Sequence, residues 1–242
     1  KPQAKVKQVG KTQGHGTTIY FKPDASIFET LDFDFNTILD HLRQQAYLTK
    51  GVHITVIDER QKTKLPEGFN SHTFYFEGGI ASYVRHLNRL QEAKHDNIFY
   101  IEKETDGMKV EVSLRYVDDF KEVVLAFANN IFNPEGGSHI LGFRTALTRA
   151  LNAYARAKGF LKEKDENLTG EDTREGLTSV ISVKLTNPQF EGQTKAKLGN
   201  PEARTAVEAI FGEAFKIFLE EHPRDGEAII GKCVLASQAR AA

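Results

Sequence analysis

The sequence holds a single cysteine, Cys233, so an internal disulfide and a cysteine-rich zinc site are both excluded. In its setting, IIGKCVLAS, that cysteine reads as a small buried helix residue. No apolar run approaches the roughly 18 residues that a membrane-spanning helix needs. The first residues, KPQAKVKQVGK, lack both the apolar stretch of a secretory signal and an initiator methionine. The last, SQARAA, read as a helix still in progress, so both ends are expected to be cuts. Excess charge of either sign is also missing. A net charge of -1 excludes a uniformly basic protein, and any nucleic-acid contact must come from a local basic face.

Several chemical signatures are absent as well. There is no GxxxxGK[ST] loop, no GxGxxG and no HExxH. None of the eight histidines stands at a metal-ligand spacing from a carboxylate or the cysteine, and no Ser-His-Asp set is evident. No complete active site and no metal site are expected from these residues alone.

What is present is an ordinary globular composition, 40% hydrophobic and 27% charged over 242 residues. That suits one domain, or one domain with a piece of another. The first 23 residues carry five lysines and no acid, then run into a strand pattern at residues 17–21, which Pro23-Asp24 ends in a turn. Phe35, Ile38, Leu39, Leu42 and Ala46 repeat at helical spacing over residues 35–48, and Gly51 stops that helix. A strand at residues 52–57 and the polar connector DERQKTKLPEGFNS follow, with a domain boundary expected between about 60 and 72.

Beyond it the pattern predicts a strand at residues 72–76, a helix over 80–90, and strands at 97–102, 109–116 and 122–127. The short spacing of the last two suits antiparallel neighbours. A helix over residues 138–157 should bury Phe143, Leu147, Ala150, Leu151 and Tyr154. A strand at 177–185 and a helix over 201–221 complete the set. Asn200 is a candidate cap and Pro201 sits at the first helical position. The mixture is α/β, a sheet backed by helices.

Three stretches stand out. Glu135-Gly136-Gly137-Ser138-His139 precedes the helix carrying Arg144, Arg149 and Arg156. The plain reading is a glycine turn with Ser138 as cap; the functional one is a helix face of arginines, unmatched by acids within the helix, that holds phosphates. Asp172-Thr173-Arg174-Glu175-Gly176-Leu177 reads as a charged turn entering a strand. Gln193-Thr194-Lys195 lies in a polar loop, where a lysine is usually hydrated but could meet a terminal phosphate.

Their order and spacing carry a resemblance. NNIFNPEGGSHILGFRTALTRALNAYA followed by LTGEDTREGLTSVISVKLTNPQFEGQTKAKL resembles the transducer domain of the B subunits of gyrase and topoisomerase IV, the type IIA topoisomerases. HGTTIYFKPDASIF, AYLTKGVHITVIDER and FYFEGGIASYVRHLN are similar to the end of the same subunits' ATPase domain and the start of the transducer. Thr49 departs from the pattern, which usually has asparagine there.

The resemblance implies that residues 1–72 are the C-terminal part of a GHKL-type ATPase domain. Residues 73–242 would be a transducer like the second domain of ribosomal protein S5, a small sheet with helices on one face. It implies an ATP-hydrolysing enzyme, using Mg²⁺, that passes one DNA duplex through another, with a gyrase A-type subunit as partner in an A2B2 assembly and a cytoplasmic location. Gln193 and Lys195 would contact the γ-phosphate, Thr17 would hold the adenine side of the pocket, and Arg144 with Arg149 would face double-stranded DNA. The catalytic base and magnesium ligand of the family fall outside this sequence, so the chain alone should neither hydrolyse nor tightly bind ATP. A MutL-type repair ATPase and a nucleic-acid module without nucleotide coupling remain alternatives.

Overall fold

A computed structural model describes residues 5–60 and 70–241. Packing divides the chain into two units, residues 1–35 and 36–242. In the first, residues 17–21 form no strand, and Ile19, Tyr20 and Phe21 are exposed. A strand needs a hydrogen-bonding neighbour, and none of the described residues in this unit supplies one. The turn at Pro23-Asp24 does form: Asp24 accepts the Ser26 amide at 2.8 Å, an Asx turn.

All but the first residue of α1 (Phe35–Leu48) belongs to the second unit. Of its predicted stripe only Leu39 and Ala46 are fully buried, and Tyr47 and Leu48 join them. Gly51, at φ +82°, ends the helix as its position suggested. β1 (Ile54–Ile57) pairs antiparallel with β2 (Ser71–Phe74), a strand that itself contains residue 72. Most of the connector between them, where the domain boundary was expected, lies outside the described residues. α2 (Gly79–Leu87) follows.

Next come β3 (Phe99–Thr105) and β4 (Met108–Tyr116), joined by Asp106-Gly107. Both turn residues have positive φ, the backbone a two-residue hairpin requires. β5 (Val123–Ala128), β6 (Ile131–Phe132), α3 (Ser138–Ala157) and β7 (Leu177–Lys184) come after them. The chain then forms β8 (Phe190–Glu191), β9 (Lys197–Leu198), α4 (Pro201–Glu221) and α5 (Pro223–Ala241).

The main sheet has the order β3-β4-β7-β5-β6. β4 and β5 are therefore not neighbours, contrary to the expectation from their spacing. β7 lies between them, antiparallel to β4 and parallel to β5. The β5–α3–β7 crossover makes this possible, since a parallel pair needs a long connection.

Side-chain alternation sends Val112, Leu114, Tyr116, Leu177 and Ile181 to the face covered by α3, α4 and α5. There Phe99 meets Phe211, Phe215 and Phe218 edge to face, at 5.3 to 5.5 Å between centroids. The other face is covered too. Phe127 and Val180 pack with Ile80, Tyr83 and Val84 of α2 and with Tyr47 and Leu48. The expectation of helices on one face is thus corrected, because β5 and β7 carry apolar side chains on both. Cys233 is fully buried in α5, as its setting indicated.

Candidate functional site

The site grows from the connection between β5 and α3. Asn129 and Asn130 turn the chain at φ +50° and +64°, a conformation asparagine tolerates better than most residues. The Asn129 amide grips Leu185 from both sides, accepting its N–H at 2.8 Å and donating to its carbonyl at 2.9 Å. A few residues on, Glu135 N–H donates to the Ala196 carbonyl at 3.1 Å, and the Gly136 carbonyl accepts Leu198 N–H at 3.0 Å. Gly137 stands at φ +137°, and a Cβ there would lie 2.3 Å from the Leu198 carbonyl oxygen. Only glycine fits that backbone. The EGG turn and the loop carrying Gln193 and Lys195 are therefore stitched together, main chain to main chain.

That loop is a small hairpin of β8 and β9, where the sequence predicts only a polar connection. Its tip is Gly192 to Lys195, with Gly192 at φ +77° and Lys195 at φ +57°. Gln193 and Lys195 are both exposed. The Lys195 ammonium rests 5.8 Å from the centre of the Phe190 ring. Lys197 differs: it is ion-paired with Glu191 at 3.0 Å.

Of the two expected caps, Asn200 does stand at the N-cap position of α4, ahead of Pro201, but its side chain makes no capping hydrogen bond. The Asn200 amide accepts Gln189 N–H at 2.6 Å and donates to the Asn187 carbonyl at 3.1 Å, closing the base of the loop instead of capping α4. Ser138 is the first residue of α3, not its cap, and its buried hydroxyl has no hydrogen-bond partner. Beside it, His139 is fully buried with both ring nitrogens unpartnered, and burial pushes its pKa down to about 4. Thr49 makes its own cap, donating its hydroxyl to the Gln45 carbonyl at 2.6 Å.

The arginine face of α3 is matched, but by other elements. Arg144 pairs with Glu122 at 2.8 Å, and Arg174, from the DTREGL stretch, pairs with the same carboxylate at 3.3 Å. Two arginines sharing one acid leave a net positive charge. Arg149 pairs with Glu208 of α4 at 2.7 Å. Arg156 donates to Asn167 and to the carbonyls of Lys162 and Asp165. No acid within α3 matches these arginines, as the sequence has it, but packing against α4 and the residue 160–170 loop brings partners that helix spacing cannot reveal. Glu122 was missed in the sequence because its partners lie 22 and 52 residues away.

The DTREGL stretch is otherwise structural. Asp172 pairs with Arg240 at 3.0 Å, the Thr173 carbonyl accepts the Tyr116 hydroxyl at 2.6 Å, and Glu175 pairs with Lys232 at 3.3 Å. Thr17, in the first unit, is exposed and outside any strand.

The sequence profile described as DNA gyrase B matches residues 79–242. The chain belongs to the DNA gyrase B family. Among curated members of that family, the DNA gyrase B protein of Halalkalibacterium halodurans is 49% identical over 242 residues, covering 100% of this chain and 37% of the relative. That of Clostridium acetobutylicum is 48% identical over 236 residues, 97% of this chain and 36% of the relative. The chain thus spans little more than a third of these relatives' length.

Solved structures agree. The 43K ATPase domain of Thermus thermophilus gyrase B, crystallised with an aminocoumarin, has a TM-score of 0.78 at 40% identity, covering 91% of this chain and 58% of its own. The ATP-binding domain of Francisella tularensis topoisomerase IV gives 0.74 at 27% identity, covering 91% and 57%. The mixed α/β fold is that of gyrase B ATPase-domain structures.

Proposed function

We propose that this chain is the segment of a gyrase B-type subunit that senses the terminal phosphate of ATP and passes that signal to a DNA-facing helix. In this reading residues 1–72 are the end of a GHKL-type ATPase domain and residues 73–242 a transducer like ribosomal protein S5 domain 2. The parent is an ATP-dependent DNA topoisomerase, cytoplasmic, partnered by an A-type subunit in an A2B2 assembly. No helix among the described residues is long and apolar enough to cross a membrane.

The observation that carries the reading is the main-chain seam between the Gln193–Lys195 hairpin and the turn that starts α3. A displacement of the hairpin tip must move Gly136 and Gly137, and with them the helix that carries Arg144.

The tip fits a phosphate: an exposed ammonium and an exposed amide, two residues apart, offer donors with no acid paired to Lys195 among the described residues. Bound ATP supplies the phosphoanhydride that is cleaved. Lys195 donates to the terminal phosphate as its charge shifts, and Gln193 adds an amide donor. No group of three His, Cys, Asp or Glu side chains that could hold a metal ion is found among the described residues. Arg144, half-exposed and in net positive surroundings, faces DNA; Arg149 shares that role more weakly because Glu208 neutralises it.

The test is ATP hydrolysis by the full-length protein carrying Lys195→Ala or Lys197→Ala. Loss of turnover confined to the first supports the reading, and equal effects overturn it.

A further inference from the structure

We infer that Asn133 is a positioning residue for Lys195, fixing the hairpin tip so that its ammonium reaches the phosphate in register. The inference rests on the reading of Lys195 as a phosphate contact and deepens it.

The physical problem is that little within the hairpin holds the Lys195 backbone in place, although its ammonium rests over the Phe190 ring. It is exposed, its stem is flexible, and its backbone sits at φ +57°, which an L side chain disfavours. Its own turn contributes one amide bond, Lys195 N–H to the Gly192 carbonyl at 3.3 Å. A residue in that conformation persists only where its surroundings hold it.

Asn133 supplies the hold. Its side-chain amide donates to the Lys195 carbonyl at 2.8 Å, across 62 residues of sequence. Asn133 is itself anchored: it is 2% exposed, its N–H donates to the Ala126 carbonyl of β5 at 2.8 Å, and its carbonyl accepts Gly136 N–H at 2.9 Å. A continuous path of short bonds therefore runs from the central sheet through one side chain to the peptide of Lys195. The Asn133 amide oxygen is buried with no partner. Burying an unsatisfied oxygen is unfavourable, so an aliphatic residue would suit this place better for stability alone. The amide donor is what the position uses.

The consequence concerns turnover rather than nucleotide affinity. A misplacement of about 1 Å at a reacting group can lower a rate by as much as about a hundredfold. Ground-state affinity, drawn from the rest of the nucleotide, responds less.

The experiment measures kcat and KM for ATP in the full-length protein assembled with its A-type partner. The variants are Asn133→Asp, Asn133→Ala, Lys195→Ala and the double variant Asn133→Ala/Lys195→Ala. Asn133→Asp keeps the shape and removes the donor, so it reads the bond even if Asn133→Ala perturbs folding. Expected are a five- to tenfold fall in kcat for both Asn133 variants, with KM changed less than twofold. The double variant should be no slower than Lys195→Ala, because a positioning residue has nothing left to position. Asn133 variants with normal kcat, or a double variant slower than Lys195→Ala by the full Asn133 factor, overturn the inference while leaving the role of Lys195 intact. A normal rate in Lys195→Ala overturns the underlying reading and the inference with it.

Discussion

Gly137 and Leu198 touch backbone to backbone: a Cβ on Gly137 would stand 2.3 Å from the Leu198 carbonyl oxygen and 2.6 Å from its nitrogen. The contact joins the start of α3 to the end of the Gln193–Lys195 hairpin. Gly137→Ala must therefore open the seam, besides forcing a side chain into φ +137°. We expect a loss of about 2–4 kcal/mol in urea unfolding of this chain. Gly192→Ala is the comparison, since Gly192 has positive φ but nothing within 4 Å of its Cβ position. It should cost about 1 kcal/mol. Equal losses would mean the seam contributes nothing beyond backbone strain.

Lys195 and Lys197 flank the same turn, yet only Lys197 is ion-paired within the hairpin, to Glu191. A charge-assisted contact to a phosphate is worth about 1.5–3 kcal/mol, so Lys195→Ala should slow ATP turnover of the full-length protein about tenfold or more. Nucleotide affinity should change less, and Lys197→Ala should be nearly silent. Steady-state kinetics with a direct binding titration reads both.

Glu122 holds Arg144 and Arg174 on its two oxygens, at 2.8 and 3.3 Å. Glu122→Gln keeps the shape and adds one net positive charge beside Arg144. If Arg144 meets duplex DNA, binding by the full-length protein should tighten about threefold at low salt. The dependence of log K on log salt should steepen by about one. Fluorescence anisotropy across a salt series measures this, and an unchanged slope would remove Arg144 from the DNA-facing surface.

His139 and His95 are both buried, and burial pushes the pKa of each down to about 4, opposed at His95 by nearby Asp225. Both are neutral in the folded chain, while the unfolded chain binds these protons from about pH 6.5 downward. The unfolded state therefore gains protons first. Stability should be full above pH 6.5, fall as the pH drops toward 4, and level off below it. The gap corresponds to about 3 kcal/mol per histidine. His139→Phe should flatten roughly half of the fall seen by urea unfolding at pH 7.5, 5.5 and 4.5; an unaltered slope would count against His139 as a source.

Local signals carried much of the fold. α3 and α4 begin and end where the glycine pair, Pro201 and the apolar stripes place them, because helix limits depend on neighbours within a few residues. The family, too, was legible, since EGGSH, DTREGL and QTK keep their order along the chain. Strand pairing was not. β4 and β5 look like hairpin neighbours until β7, more than 45 residues further on, inserts between them. Nor was the short β8–β9 hairpin legible, for two-residue strands have no period to detect.

The candidate site divides along the same line. Sequence determined which side chains have the chemistry: an unmatched lysine and a glutamine in a polar loop, glycines before a helix, arginines along it. Tertiary structure decided what each is free to do. It gave Arg144 and Arg149 acidic partners from β5's entry and from α4, turned the side chain of the N-cap residue Asn200 to the base of the loop, placed Ser138 inside α3, and tied Lys195 to Asn133. Those outcomes depend on distances between residues far apart in the chain. Such distances are set by how the sheet and helices pack, and periodicity along the chain holds no record of them.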